Sequence, residues 1–554
     1  MDYRKRICEL INDPLVTETD VVTAAEGHGD FALPCFKYAR ELRKSPQAIA
    51  QDFAARLPEC GFIERTEVAG GYLNFYLDRA GRVRDVLTER EGKAELAALR
   101  ESNAGKTVCI DYSSINIAKP FHIGHLMSTA IGGSLYRIYK YLGWKPVGIN
   151  HLGDWGTQFG KLLAAYEKWG DKSRPLTLND MLSLYVRFTE ESEKDPELAE
   201  RGRTEFLRIE RGEPDAVRTY ELFKSTTLAE VNKVYDRLGI VFDSYNGEAF
   251  YNDKMQPIID ELDAKGLTEI SDGAKIVRLD DFGMPPCLIT RSDGATLYAT
   301  RDLAAAEYRA KTYRFAKSLY VVATQQNLHF RQLFKVLELM GREWAKDLVH
   351  VQFGMVSYEG QPLSTRHGHV VFLADVIENT VSAARRIIEE KNPALENKEE
   401  TAESVGVGAV MFFALGTQRI KDVDFNYDKV LSFEGETAPY LQYTHARCRS
   451  VLAKADKPTD YDPALLTDDD SYAVIKLLAD WNDTVREAAE KYEPSIVARR
   501  LIDIAQAYNR FYISGRIITD DAPLTAARLK LTETVADTLR EGLDLLLIKA
   551  PDRM

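Results

Sequence analysis

Residues 107–142 join three local signals in an order that suits a strand feeding a helix. A strand-like run from Thr107 to Tyr112 leads to Lys119-Pro-Phe-His-Ile-Gly-His125, and a helical stretch follows from Leu126 to Leu142. Such a unit buries its apolar faces best within a parallel sheet covered by helices. The junction also has chemistry of its own. It aims backbone N–H groups and the positive end of a helix dipole at a place where a phosphate can sit, and His122 and His125 add ring donors. Gly124 lets a nucleotide approach the backbone closely. The pattern reads as an adenylate-forming site that uses ATP, although small nucleotidyltransferases share the short motif, so context has to decide.

Strand and helix signals alternate from about Gly105 to Asp280, as in a doubly wound parallel sheet. From about 176 to 238 the rhythm breaks into charge-rich helical sequence, including Glu190-Glu-Ser-Glu-Lys-Asp-Pro-Glu, which predicts a helical insertion with a solvated charged face. The sheet resumes with Lys317-Ser-Leu-Tyr-Val-Val-Ala, a helix from Leu328 to Gly341, and a strand at His350-Val-Gln-Phe-Gly-Met-Val. After about Asn426 the pattern is helical to Met554, apart from loops at Lys457 to Asp469 and near Ile518 to Thr525. Upstream, a strand at Gly70 to Leu77 and a helix start at Ser45-Pro46 indicate mixed structure. The expected fold is α/β multidomain: an α+β domain at 1–100, a Rossmann-like catalytic domain at 101–425, and an all-α bundle at 426–554.

A chain of 554 residues exceeds what one core usually supports, in keeping with three domains. Its formal charge of −13 argues against broad nucleic-acid affinity, so any RNA contact must be local. Six cysteines lie far apart without a Cys-x-x-Cys pair, which predicts buried thiols and neither a zinc site nor a disulfide framework. No protein metal site is expected. There is no bilayer-length apolar run, and Met1-Asp-Tyr-Arg-Lys-Arg lacks the apolar core of a signal peptide, so the expectation is a cytoplasmic protein with no membrane partner.

The longer run Asp111-Tyr-Ser-Ser-Ile-Asn-Ile-Ala-Lys-Pro-Phe-His-Ile-Gly-His125, with Asn150-His-Leu-Gly-Asp-Trp-Gly-Thr-Gln-Phe-Gly160, resembles the class I aminoacyl-tRNA synthetases, specifically the arginyl-tRNA synthetase family. The resemblance implies that L-arginine and ATP form arginyl adenylate and that the terminal adenosine of tRNA(Arg) takes the arginyl group, by 2′-hydroxyl attack and with activation that requires bound tRNA. Mg2+ is expected with ATP, largely through phosphate. A monomer is implied as well.

Pyrophosphate leaving demands cations, since the reaction is mostly positioning and electrostatics. Leu363-Ser-Thr-Arg-His-Gly368 stands where the family carries its Lys-Met-Ser-Lys-Ser loop, but without the first lysine; family members altered in this way carry a lysine just before the histidine motif, where Lys119 stands. The resemblance thus makes Lys119, His122, His125 and Arg366 catalytic and puts Gly124, His329, Met355, Val356, Ser364 and Thr365 around the nucleotide.

Arginine needs acceptors around its planar guanidinium. Tyr298-Ala-Thr-Arg-Asp302 places a ring and a carboxylate on one face if helical, and it matches the family's Tyr-x-Thr-Arg-Asp segment, whose tyrosine and aspartate contact the substrate. Asp302 alone could equally cap a helix or pair with Arg301. Glu248 matches a second substrate acid, Gln326 an amino-acid contact, and Asn116 the residue holding the substrate's backbone groups. Asp154 and Trp155 suit a pocket wall.

For tRNA the resemblance points to Tyr72 and Asn74 in the amino-terminal domain, and to Tyr440, Tyr443, Arg447 and Met554 at the anticodon surface. Strand packing for Tyr72, a turn bond for Asn74 and a core stripe for Tyr440 and Tyr443 fit the same spacings. Tyr508, Phe511 and Tyr512 are expected in the core. Ile115, Met127 and His367 depart from the family's usual proline, arginine and lysine. The charge changes at 127 and 367 leave open a second reading, a catalytically silent tRNA-binding regulatory paralogue; the pocket acids and the absence of zinc-spaced cysteines disfavour cysteine or glutamine as substrate.

Overall fold

A computed structural model describes residues 3–25, 27–292, 298–362, 371–456 and 460–554. The chain forms two compact units, Met1–Ala98 with Arg447–Asn482 and Asp503–Thr538, and Leu99–Ala446 with Asp483–Ile502 and Leu539–Met554. No helix among the described residues is long and apolar enough to cross a membrane.

The second unit is built on a four-stranded parallel sheet in the order Leu348–Phe353, Lys317–Ala323, Thr107–Asp111, Lys145–Ile149. The chain runs outward from Thr107–Asp111 in one direction and from Lys317–Ala323 in the other, so the strand order reverses between these two. In open parallel sheets ligands bind beyond the carboxyl ends of the strands at such a switch point. The helix Leu126–Tyr141 packs against the sheet, and its Ser128 Oγ donates to Val321 O at 2.7 Å. Cys109, Val147 and Ile149 join a core with Leu303, Leu333 and Leu337 from the helices Tyr298–Tyr313 and Asn327–Leu339. As the sequence predicts, Gly341 follows the latter helix with φ +81°, a conformation that favours glycine.

The charge-rich insertion is helical: Leu178–Ser192, Pro196–Glu210 and Pro214–Leu238. Thr177 caps the first through Asp180 N at 3.2 Å, and Asp195 caps the second through Glu197 N at 3.0 Å.

Two stretches differ from the expected parallel pattern. Glu269–Ser271, Ala274–Val277 and Cys287–Thr290 form a separate antiparallel sheet. Asp272 and Gly273, with φ +49° and +79°, make the tight turn that forces the chain back on itself. The run from His350 to Val356 is two strands, because Leu348–Phe353 ends in the main sheet and Val356–Tyr358 pairs with Val423–Phe425 and Gln361–Pro362. The break falls at Gly354, where a Cβ would lie 2.4 Å from Lys421 O. The thiols also differ: Cys35, Cys109, Cys287 and Cys448 are buried, whereas Cys8 and Cys60 are partly exposed.

In the first unit the antiparallel order is Val22–Thr23, Phe31–Pro34, Tyr72–Leu77, Ile63–Ala69. Ser45 Oγ accepts from Ala48 N at 3.2 Å, which caps Pro46–Arg56 as predicted. Helices Ala438–Leu452, Asp469–Ala479, Trp481–Glu490, Ser495–Ser514 and Ala522–Leu545 account for most of the carboxy-terminal sequence.

Candidate active site

The histidine motif leaves the strand Thr107–Asp111 through a constrained segment. Ser113, Ser114 and Ala118 have φ of +67°, +44° and +58°, which side chains with a Cβ rarely adopt. Asn116 bridges Gly153, so the loops after the two neighbouring strands are stitched together. Lys119 is exposed just ahead of the motif. His122 caps the short helical turn Ile123–His125, its Nδ1 accepting from Gly124 N at 3.1 Å. That bond puts the ring proton on Nε2 and leaves Nε2–H as the donor. The rings of His122 and His125 lie 3.9 Å apart. Burial pushes both imidazoles down, His125 to about 3 with help from His122 and Lys119, so both are neutral near pH 7. Ile123 N donates to Val371 O and Leu373 N to Phe121 O, both at 3.0 Å, which anchors the motif to the chain that follows residues 363–370. Arg366, Ser364, Thr365 and His367 lie outside the described residues.

A second group of side chains gathers beside the first. Asp302, on the first turn of Tyr298–Tyr313, sits 2.6 Å from His329 Nε2 and 3.9 Å from His151 Nε2. Burial alone would raise its carboxyl, but the His329 bond and nearby cations hold it below the usual range. Glu248 accepts from Arg301 Nη1 at 3.1 Å. Its carboxyl is pushed up to about 7 by burial, against the opposing pull of Arg301, and it also feels Asp302, Asp154 and Lys119. The two acids therefore share one electrostatic neighbourhood with the motif lysine. Arg301 pairs with Glu248, which corrects the alternative that it pairs with Asp302.

Behind this group Arg309, 2% exposed, donates to Asp111 Oδ2 at 2.7 Å and approaches His151 Nδ1 at 3.4 Å. Asp154 is fully buried, accepting from Lys224 Nζ at 2.8 Å and Ala249 N at 2.9 Å. Trp155 packs on Phe206 of the insertion, ring centroids 5.2 Å apart.

The remaining candidates scatter. Tyr298 is 69% exposed, Gln326 is exposed, and Met355 is 47% exposed with its N donating to Asp422 Oδ1 at 2.6 Å, while Val356 is buried. Asn74 is buried mid-strand opposite Ala32 and Glu67, so its amide serves no turn, while Tyr72 sits at the surface edge-on to Phe36 at 5.2 Å. On the helix Ala438–Leu452, Tyr443 is exposed and Tyr440 half-buried. Arg447 reaches Asn509 and lies over the Tyr512 ring at 5.0 Å. Tyr508 and Phe511 are core residues as expected, but Tyr512 is 37% exposed. Met554 packs near Ala384 and Leu431, its O accepting from Asn392 Nδ2 at 3.0 Å.

Residues 86–427 match the model of tRNA synthetases class I (R), catalytic domain; residues 4–77 match the arginyl tRNA synthetase N terminal domain, and 441–554 the DALR anticodon binding domain. The arginine–tRNA ligase of Alkaliphilus metalliredigens is 47% identical over 564 residues, with all of both chains covered. The chain belongs to the arginyl-tRNA synthetase family. The arginine–tRNA ligase of Halothermothrix orenii is also 47% identical, over 567 residues and all of both chains. Among solved structures, Thermus thermophilus arginyl-tRNA synthetase superposes with a TM-score of 0.84 at 27% identity, covering all of both chains. Plasmodium falciparum arginyl-tRNA synthetase has the same fold, with a TM-score of 0.84 at 22% identity over 100% of this chain and 99% of that one.

For an arginyl-tRNA synthetase family member, the two departures that can be inspected are core substitutions. Met127 is 1% exposed within Leu126–Tyr141, and Ile115 is 2% exposed. The sequence reading left out His151, Arg309 and Lys224 as neighbours of the site. Only His151 had a signal, since it lies inside the quoted Asn150–Gly160 run.

Proposed function

We propose that this chain ligates L-arginine to tRNA(Arg) with ATP, by way of arginyl adenylate. The observation that carries the reading is the pair of acids, Asp302 and Glu248, beside Lys119 and the His122–Gly124–His125 turn at the carboxyl ends of the central strands. Two acids, of which Glu248 meets the guanidinium of Arg301 and Asp302 meets His329, suit a second guanidinium, that of the substrate.

In this reading Asp302 and Glu248, with Tyr298 and Gln326, take the arginine side chain, and Asn116 takes its amino and carboxylate groups. The phosphates lie on the helix start at Gly124, between Lys119 and the neutral rings of His122 and His125. Each ring donates an N–H to charge that develops as pyrophosphate leaves and has no need to move a proton. His329, Met355 and Val356 flank the nucleotide, and Arg366 adds a second cation. Mg2+ would come with ATP, held through phosphate oxygens, and would share their negative charge. Tyr440, Tyr443, Arg447 and Met554 face the anticodon loop, and Tyr72 the body of the tRNA; the buried Asn74 supports that strand. Action as a cytoplasmic monomer completes the proposal.

The silent alternative loses one motive, because Met127 is a core residue. The test is ATP–pyrophosphate exchange with each of the twenty amino acids, with and without tRNA. Exchange confined to arginine and dependent on tRNA is expected; tRNA binding with no exchange overturns the reading.

A further inference from the structure

The insertion helix Pro214–Leu238 turns one stripe of residues toward the site: Tyr220, Lys224, Thr227 and Tyr235, at intervals of four, three and eight. Residues at such spacings share a helix face. Each makes a specific polar contact with a loop that follows a central strand. Tyr235 OH meets Ser113 Oγ at 2.7 Å and Asn150 Nδ2 at 3.1 Å. Thr227 Oγ1, fully buried, accepts from Ala118 N at 3.1 Å and donates to Phe223 O at 2.8 Å. Tyr220 OH donates to Asp154 O at 2.7 Å, and Lys224 Nζ donates to Asp154 Oδ2 at 2.8 Å.

These contacts fall where the site needs external support. Ser113 and Ala118 are two of the left-handed residues of the segment that ends at Lys119, and a strained backbone persists only where its surroundings over-determine it. Asp154 in turn accepts from Ala249 N, and a Cβ on Gly247 would lie 2.5 Å from Asp154 Oδ1, so the turn carrying Glu248 is seated directly on that carboxylate.

We propose that Pro214–Leu238 is the positioning element of the site, with Lys224 setting the Glu248 turn through Asp154 and Thr227 setting the Lys119 segment through Ala118. The inference rests on the proposed function and extends it: two positions one helical turn apart serve the two substrates separately, Lys224 arginine and Thr227 ATP. An insertion then does more than cover the sheet, because it holds both half-sites in one register.

The experiment is tRNA-dependent ATP–pyrophosphate exchange on the full chain, with KM for arginine and for ATP read separately. Lys224→Met is expected to raise the arginine KM about tenfold with the ATP KM within about twofold of wild type, while Thr227→Val raises the ATP KM about tenfold with the arginine KM within about twofold. Lys224→Arg and Thr227→Ser, which keep a donor or acceptor in place, should stay within about threefold of wild type. General loosening of the fold would move both parameters together. If either variant does so, or if neither parameter moves beyond about twofold, the proposal is overturned. Should Lys224→Met or Thr227→Val not fold, Lys224→Gln and Thr227→Ala are judged by the same split. A wild-type chain inactive with arginine would instead overturn the proposed function, and with it the assignment of Lys224 to arginine and Thr227 to ATP.

Discussion

Glu248 is a side chain in the site whose protonation changes near neutral pH. Its carboxyl is raised from 4.5 to about 7, so the folded chain holds that proton where the unfolded chain has released it. Stability from this group is greatest below pH 4.5 and falls as pH rises through about 7. Arginine needs the ionised form. kcat/KM for arginine is therefore expected to rise from about pH 6 to about pH 8, and Glu248→Gln should flatten that limb, as a pH–rate profile would reveal. His125, near 3, should add no ionisation to the same profile. As an N–H donor it should still matter: His125→Ala should slow adenylate formation about 100-fold in single turnover, and His125→Asn less. The histidines, Lys119 and both acids stand out in the sequence through their match to the family's motifs, in the family's order. The pairing Arg301–Glu248 does not, because the partners are 53 residues apart and successive helix positions point about 100° apart.

At the scale of elements, periodicity carried most of the reading. Leu126–Tyr141 and Asn327–Leu339 begin and end within a residue or two of the sequence signals, and Pro46–Arg56 begins at the signalled Ser45-Pro46, since caps, Pro and Gly act locally. Gly354 hid a strand break, because its requirement comes from Lys421 and Asp422 far along the chain. The Asp272-Gly273 hairpin did carry a local signal that an alternating α/β pattern obscured. Close helix packing is another long-range matter: on Thr157–Trp169 a Cβ at Gly160 would stand 2.1 Å from Gly202 O. Gly160→Ala should thus lower stability by about 1–3 kcal/mol in urea unfolding, the insertion moving off its support.

At the scale of the whole molecule, segments far apart in sequence meet within one unit. Within the first unit Asp30 Oδ1 meets Arg82 Nη1 at 2.7 Å and Tyr472 OH at 2.9 Å, and Asp30 Oδ2 accepts from Leu77 N at 3.0 Å. Arg82 and Asp30 are 4% and 7% exposed. Asp30→Ala would leave the guanidinium buried without its carboxylate, and an expected loss of about 3–5 kcal/mol should appear as a lower denaturation midpoint. Arg82→Met with Asp30→Leu should recover part of it, since an apolar pair removes both buried charges.

The sequence by itself determined the local: which runs are helices, and where a strand enters a helix through two histidines. Such properties depend on neighbours within about one or two turns, or on residue type alone. Tertiary structure decided the pairings. It put His329 on Asp302 and Arg301 on Glu248, buried Met127 and Asn74, and laid Tyr220, Lys224, Thr227 and Tyr235 across the loops of the site. Each of these depends on which faces the sheet order brings together, and a linear pattern encodes burial without naming the partner.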